Sequence, residues 1–385
     1  MKIIRTSTVP GSLNSFCRGL LRELKEEEGY EVIAVSSPGE ALNEVGTREG
    51  VKTYAVSMER RISPFKDLKS LWGLIKVLRR EKPDMVHSIT PKAGLLSMMA
   101  AKITDVPVRV HTFTGLVFPT SKGIKRKILI LTDKLTCACA THIIPEGEGV
   151  KSDLKNNNIT KKPLKVLGYG NIKGIDLKYF DPELPEVKAA ATKIKKNGIF
   201  TFVYIGRLVR DKGINELIEA FKSLHDQYPA TRLILVGESE QNLDPLKPET
   251  LHEINDNMAI EAVGRQNDVR PWLLASDAFV FPSYREGFPN VVIEAGAMGL
   301  PSIVTDINGS REIIQDGING IIIPPRQVET LRQAMEVFLT DCDLRKQLAS
   351  KTRSSVASRF EQNYVRQCLK DYYRDKLCEL NNKYS

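Results

Sequence analysis

Ala278-Phe-Val-Phe-Pro-Ser-Tyr-Arg-Glu-Gly-Phe-Pro-Asn-Val-Val-Ile-Glu294 reads as a strand, a loop and a helix in succession. The apolar run Ala278–Phe281 stops at Pro282, which has no N–H for a sheet ladder. A helix follows from about Asn290, whose side chain is placed to cap it. The first amides of such a helix lack intrahelical partners and lie at the positive end of its dipole. At the carboxyl end of a parallel strand they form a seat for phosphate. Glu286 and Glu294, eight residues apart, bring carboxylates that would repel phosphate but suit sugar and ribose hydroxyls. Each acid alone has a plainer reading, as a helix-cap or helix-surface residue. That reading leaves Gly287, Phe288 and Pro289 between them unexplained.

A second stretch, Tyr204-Ile-Gly-Arg-Leu-Val-Arg-Asp-Lys-Gly213, makes the same transition. Gly206 permits close backbone approach. Arg207 and Lys212 flank the turn, and two cations there fit a diphosphate, Arg as a fork and Lys as a point charge. Val236-Gly237-Glu238 and Val263-Gly264-Arg265 each place glycine directly after an apolar strand, where backbone can border a base; either alone is ordinary turn chemistry. Pro10-Gly11-Ser-Leu-Asn14 follows the first strand with a lone glycine and no G-x-G-x-x-G.

These motifs sit in a repeating strand–helix pattern. Strands are expected at Lys2–Arg5, Glu31–Val35, Lys52–Val56, Met85–Ser88, Val108–Thr112, His142–Ile144 and Lys165–Gly168. A second series runs Phe200–Ile205, Arg232–Val236, Ile260–Ala262, Ala278–Phe281, Pro301–Thr305 and Gly320–Ile323. Helical periodicity falls between them, at Leu13–Glu27, Phe65–Glu81, Gly94–Ile103, Ile124–Ala138, Gly213–Gln227, Val269–Ala275, Asn290–Met298 and Val328–Leu339. The alternation predicts parallel sheets covered by helices on both faces. A Gly-, Pro- and charge-rich break within Gly170–Asn197 divides the chain into domains at 1–180 and 190–362. A charged helix over 363–385 is expected to pack back on the first domain.

With 385 residues, 42% hydrophobic and 27% charged, the chain has the composition of a globular protein with two or three domains. No run approaches a membrane span, and the N-terminus lacks a signal-peptide core. The six cysteines form no zinc-like spacing and read as free thiols in a reducing, cytoplasmic setting. The net charge of +9 is uneven, at +12 over residues 1–180 and −3 over the rest. Lys122, Lys125, Arg126 and Lys127 lead the excess. It points to an anionic partner for the first half or to a solvated basic face. No aromatic-rich basic stripe or known module supports nucleic acid as that partner.

At Glu286, Glu294, Gly206, Arg207, Lys212 and Gly213 the sequence resembles glycosyltransferase family four, in the E-x7-E and G-R-x-x-x-x-K-G patterns. The resemblance covers essentially the whole chain. It implies the α/β GT-B fold, two doubly wound Rossmann-like domains facing across a cleft that holds the active site. It implies a retaining transfer from a nucleotide sugar, with no metal and no cofactor. By the same resemblance Arg207 and Lys212 hold the donor diphosphate, Glu294 the ribose and Glu286 the donor sugar. The backbone of Phe288, Pro289, Asn290 and Val291 closes on sugar and phosphate. Arg265, with the backbone at Gly237 and Gly264, borders the base, and Gly11 approaches the diphosphate from the first domain.

His87-Ser-Ile-Thr-Pro-Lys-Ala-Gly94 and His111-Thr-Phe-Thr-Gly-Leu116 are similar to bacterial transferases that extend glycans on undecaprenyl diphosphate. This implies a lipid-diphosphate-linked acceptor at an anionic membrane surface, for capsule, O-antigen or glycoprotein glycans. In one respect the chain departs from the pattern. Thr114 stands where relatives carry the histidine that reaches the donor sugar, and His111 on the strand is the nearest histidine. Two other readings use the same residues: a nucleotide-sugar epimerase of this fold, and a silent subunit that only binds nucleotide sugar. The first leaves the basic half unexplained, and Glu286, Arg207 and Lys212 argue against the second.

Overall fold

The structure is a computed structural model that describes residues 1–59, 63–240 and 244–384, with backbone alone at 381, 383 and 384. It contains two compact units, residues 1–174 with 363–385 and residues 175–362. The first comprises β1 (Lys2–Thr6), α1 (Pro10–Phe16), α2 (Leu20–Glu26), β2 (Glu31–Ser36), α3 (Glu40–Glu49), β3 (Lys52–Ala55) and α4 (Pro64–Glu81). It continues through β4 (Met85–Ile89), α5 (Pro91–Ile103), β5 (Val108–Phe113), α6 (Gly123–Cys139), β6 (His142–Pro145) and α7 (Glu148–Asn156).

The second unit holds α8 (Pro185–Ile194), β7 (Phe200–Ile205), α9 (Ile214–Gln227), β8 (Thr231–Val236), α10 (Pro248–Asp256), β9 (Ile260–Gly264) and α11 (Arg270–Leu274). Then follow β10 (Ala278–Phe281), α12 (Asn290–Ala297), β11 (Ser302–Thr305), α13 (Ser310–Ile313), β12 (Gly320–Ile323), α14 (Val328–Thr340) and α15 (Cys342–Phe360). The last helix, α16 (Gln362–Tyr384), belongs to the first unit from Asn363 onward.

Both sheets are parallel, six-stranded and identically ordered. The first runs β3-β2-β1-β4-β5-β6 and the second β9-β8-β7-β10-β11-β12, each the doubly wound 3-2-1-4-5-6 arrangement. The order reverses between β1 and β4 in one unit and between β7 and β10 in the other. Strands such as Thr231–Val236 and Ala278–Phe281 are buried along their whole length, which accounts for their nearly unbroken apolar sequences.

The structure corrects three readings of the sequence. The helix expected over Leu13–Glu27 is two helices, broken where Gly19 takes a φ of 77°. Lys165–Gly168 is not a strand. Only an isolated bridge joins Leu164 to Ile143, and Gly168 and Gly170 turn the chain with positive φ. The units divide at Gly174 and Ile175, so residues 175–180 go with the second unit. Ile175 and Phe180 are buried in its core, and Arg353 of α15 donates to the Phe180 carbonyl at 2.5 Å.

α16 completes the first unit. Tyr372, Tyr373 and Leu377 are buried in its core, and Lys370 pairs with Glu27 at 2.7 Å. Tyr373 reaches a buried arginine on β1. Arg5, 2% exposed, donates to the Tyr373 hydroxyl at 2.5 Å and to His87 Nδ1, while His87 Nε2 lies 2.7 Å from Thr112 Oγ1. Burial, and secondly the Arg5 charge, holds His87 well below the usual histidine range.

Candidate active site

The two motifs meet at the switch point of the second unit, at the carboxyl ends of β7 and β10. After β7 the chain makes a 3₁₀ turn, Arg210–Lys212, and Gly213 opens α9 with a φ of 73°. A Cβ on Gly213 would lie 2.1 Å from the Pro282 carbonyl oxygen. The bare glycine therefore lets the turn rest directly on the loop after β10. Backbone bonding holds the two together, the Tyr284 N–H donating to the Asp211 carbonyl at 2.9 Å. Arg285 pairs with Asp211 at 2.9 Å, and the Tyr284 hydroxyl donates to Glu216 at 2.5 Å.

This packing brings Lys212 against Glu286. The two form an ion pair, with side chains 15% and 17% exposed. The Ser283 hydroxyl donates to Glu286 at 3.0 Å, and the Lys212 ammonium lies 5.8 Å from the centre of the Phe281 ring. An ammonium and a carboxylate thus stand together, mostly shielded from water, where their field is strong.

The rest of the loop is held from below. Phe288 is buried and meets Phe360 edge-on at 5.4 Å, so its backbone rather than its ring is offered to a ligand. α12 begins at Asn290, with Pro289 as the flanking residue and no side-chain cap. Asn290 is therefore the first helical residue and not the N-cap. Proline, whose φ is already fixed, takes the flanking position. Val291 occupies the first turn and Glu294, half-buried, the second. Gly309 packs beneath the loop: a Cβ there would lie 2.5 Å from the Gly287 carbonyl oxygen and 2.7 Å from Phe288 Cα.

Beside this loop, Gly206 and Gly237 directly follow β7 and β8, and Gly264 ends β9. A Cβ on Gly237 would fall 1.8 Å from the Gly206 carbonyl oxygen, and the Gly237 N–H donates to the Gly264 carbonyl at 2.9 Å. A register shift at Leu235/Val236 permits this stacking. It floors a cavity of about 320 Å³ whose lining includes Gly206, Arg207, Gly237, Glu238, Glu240 and Arg265. Arg207 pairs there with Glu240 at 2.8 Å, both side chains partly exposed.

Gly11 lies in the other unit, in the exposed first turn of α1, and a Cβ there would meet nothing within 4 Å. His111 is buried in β5, with Ser88 Oγ 2.8 Å from its Nδ1, Phe113 edge-on and Gly94 against its ring. Burial lowers its pKa to about 3. Asp211, Ser283, Tyr284 and Gly309 also shape the site, and the sequence reading missed them. The Asn-Gly-Ser at 308–310 was the one visible signal, a turn next to the strand Ser302–Thr305.

Residues 188–355 match the family of group 1 glycosyl transferases, and residues 11–170 match the glycosyl transferase 4-like domain. The chain is 32% identical over 385 residues to CapM of Staphylococcus aureus, a capsular polysaccharide biosynthesis glycosyltransferase, covering 99% of each protein. The chain belongs to the group 1 and 4-like glycosyltransferases. This glycosyltransferase is also 29% identical, over 92% of each chain, to the Escherichia coli UDP-Gal:alpha-D-GlcNAc-diphosphoundecaprenol alpha-1,3-galactosyltransferase. Among solved structures it superimposes on Anabaena HepE, crystallised with UDP, with a TM-score of 0.79 at 16% identity, covering 97% of this chain and 100% of HepE. That likeness shows the fold, GT-B. The glycosyltransferase's E-x7-E and G-R-x-x-x-x-K-G motifs are the two that Gly213 and Pro282 hold together.

Proposed function

We propose that this glycosyltransferase moves a hexosyl or N-acetylhexosaminyl group from a UDP-sugar to a glycan carried on a lipid diphosphate. The product serves cell-surface polysaccharide or glycoprotein glycan synthesis, made at the inner face of an anionic membrane. The observation that carries the reading is the Lys212–Glu286 pair at the β7/β10 switch point. Lys212 has three N–H donors, and Glu286 needs one. The others, with the first amides of α12 and the Arg207 guanidinium, suit the two phosphates of a donor. Arg207 is released from Glu240 at little cost, because partly exposed pairs are weak.

Transfer is retaining. The acceptor hydroxyl attacks the anomeric carbon from the face that the diphosphate leaves, and negative charge grows on the departing phosphate. Lys212, Arg207 and the amides of Asn290 and Val291 stabilise that charge in place of a metal ion. Glu286, fixed by Ser283, orients the sugar and favours positive character at its anomeric carbon. Glu294 takes the ribose hydroxyls, and Arg265 and the stacked glycines border the base. The relatives named above, one for capsule and one for a diphosphoundecaprenol acceptor, support the acceptor class.

The test is thermal unfolding with a panel of UDP-, GDP- and ADP-sugars, followed by transfer assays with and without EDTA. A donor at one hundred times its Kd adds about 2.7 kcal/mol. Protection by a UDP-sugar and EDTA-resistant transfer are expected. Protection only by another nucleotide, or activity lost to EDTA and restored by Mg or Mn, overturns the donor or the metal-free reading.

A further inference from the structure

The Lys212–Glu286 pair has a neighbour of opposite order. Asp211 precedes Lys212 on the 3₁₀ turn, and Arg285 precedes Glu286 on the loop after β10. Arg285 reaches Asp211 at 2.9 Å, and Lys212 reaches Glu286. Each contact joins residues 74 apart in the sequence, so the two pairs run in step. The turn presents minus and then plus, and the loop plus and then minus. In this register both contacts attract. Shifted by one residue in one direction, Glu286 would face Asp211; shifted in the other, Arg285 would face Lys212. Either slip sets like charge against like charge.

Neutral contacts tether the same two segments. The Tyr284 N–H donates to the Asp211 carbonyl at 2.9 Å, and the Ser283 hydroxyl lies 3.4 Å from that oxygen. The Asp211 N–H is itself held by the Asp244 carboxylate at 2.6 Å. Tyr284 is fixed from both sides, by Glu216 at its hydroxyl and by the Arg326 guanidinium 4.5 Å from the centre of its ring. Backbone donors and acceptors are alike from one residue to the next, so they join the segments without choosing their alignment. The charges choose it. In the proposed function Lys212 turns part of its donor capacity to phosphate, which loosens its hold on Glu286. The Asp211–Arg285 contact does not have to change. Its side chains are 23% and 34% exposed, so it adds little to overall stability. Its value is geometric, since a displacement of about 1 Å at reacting atoms can cost about 10²-fold in rate.

We propose that Asp211 and Arg285 are positioning residues: by their alternation of charge with Lys212 and Glu286 they set the loop against the turn and so place the donor sugar for transfer. The proposal rests on the reading of Lys212 and Glu286 as donor residues. It extends that reading to two residues that act through them and touch neither sugar nor phosphate.

The test uses the full-length protein. Asp211→Asn and Arg285→Gln should each lower kcat about tenfold or more, while donor KM, UDP affinity and the melting temperature stay near the wild-type level. Arg285→Lys keeps the charge and should keep most of the rate. The exchange of partners, Asp211→Arg with Arg285→Asp, restores an ion pair but leaves two cations on the turn and two anions on the loop. Shifted alignments are then no longer repelled, so this variant should keep the melting temperature and lose the rate. Hydrogen exchange at the Tyr284 amide, whose bond to Asp211 marks the register, should quicken in Asp211→Asn and in the exchanged pair but not in Arg285→Lys. Wild-type kcat in the exchanged pair would reduce the contact to an ordinary ion pair and overturn the proposal, as would an unchanged kcat in Asp211→Asn. UDP affinity falling as far as the rate in Arg285→Gln would make Arg285 a phosphate ligand and overturn it too. The hydrogen-exchange arm needs no donor. If the wild type transferred from no UDP-sugar, the proposed function would break, and Tyr284 exchange would still decide the register: quickened exchange supports it, unchanged exchange overturns it.

Discussion

The two units share one strand order, and their switch points differ in chemistry. Between β7 and β10 stand ions: Lys212 against Glu286, with Arg207 nearby. Between β1 and β4 stand hydroxyls. Thr8 and Thr90 approach to 2.8 Å through their side-chain oxygens, the Ala93 N–H donates to Thr8 at 3.1 Å, and Ser97 donates to Thr6 at 2.9 Å. Thr90 holds a φ of 76°, an uncommon backbone for a β-branched residue. The fold supplies a crevice twice, and the residues at each strand end decide what that crevice binds. In the second unit they suit a charged leaving group, and in the first they form a neutral, self-bonded layer.

The largest expected effect is at the ionic switch point. Glu286→Gln should slow single-turnover transfer about 10²–10³-fold, the scale of losing a transition-state contact, while UDP affinity holds. Lys212→Ala should weaken UDP itself by about 1.5–3 kcal/mol. Thr90→Ala, at the matching strand end of the first unit, should leave UDP affinity unchanged. Calorimetry beside rapid-quench rates checks all three. Equal losses of UDP affinity in Lys212→Ala and Thr90→Ala would erase the contrast between the units.

Glycines sharpen it next. Gly213→Ala puts a Cβ into the Pro282 carbonyl at a positive φ and should cost the second unit more than about 1–3 kcal/mol. Gly11→Ala meets nothing and lies in a helix, so it should be neutral or stabilise by up to about 1 kcal/mol. Denaturant melts give both values. A large loss in Gly11→Ala would reveal a contact that the helix does not show.

The first unit should also be the more sensitive to acid. His87 and His111 have folded pKa values below the unfolded histidine value, so the unfolded chain binds protons that the folded unit refuses. Stability is full above about 6.5 and is lost as pH falls toward about 3. Calorimetric scans from pH 7 to pH 5 should lower the transition of the first unit more than that of the second. His111→Gln should flatten the difference. The smallest effect is at Glu240. Glu240→Gln frees Arg207 and should tighten UDP by less than about 1 kcal/mol, because the pair is partly exposed. Weaker binding would instead make Glu240 a ligand for the nucleotide.

The sequence told most where one residue type had one purpose. The parallel strands were legible because burial on both faces demands continuous apolar runs, as in Phe200–Ile205 and Ala278–Phe281. Lys212 stood out because Gly206 and Gly213 bracket its turn, and Glu286 because Gly287 and Pro289 follow it. Some helices escaped, α15 among them: Leu348, Val356 and Phe360 line one buried side, but they are sparse in a stretch that is mostly polar or charged. Asp211, Ser283 and Gly309 escaped for a different reason. They act through contacts with segments distant in sequence, and nothing local distinguishes them from turn residues. The split of Leu13–Glu27 depended on Gly19 adopting a left-handed φ, a choice that periodicity does not reveal.

The chain's return to its first unit has a consequence for how the molecule is made. Arg5 leaves the ribosome 368 residues ahead of its partner Tyr373. In the interval the whole second unit is synthesised, and a buried guanidinium waits without the hydroxyl that satisfies it. The second unit can assume its final packing on the nascent chain. The first unit stays open along the groove that α16 fills, so Val32, Leu24 and their neighbours are exposed to chaperones until α16 is made. A stop codon before Tyr373 would therefore spare the second unit and undo the first.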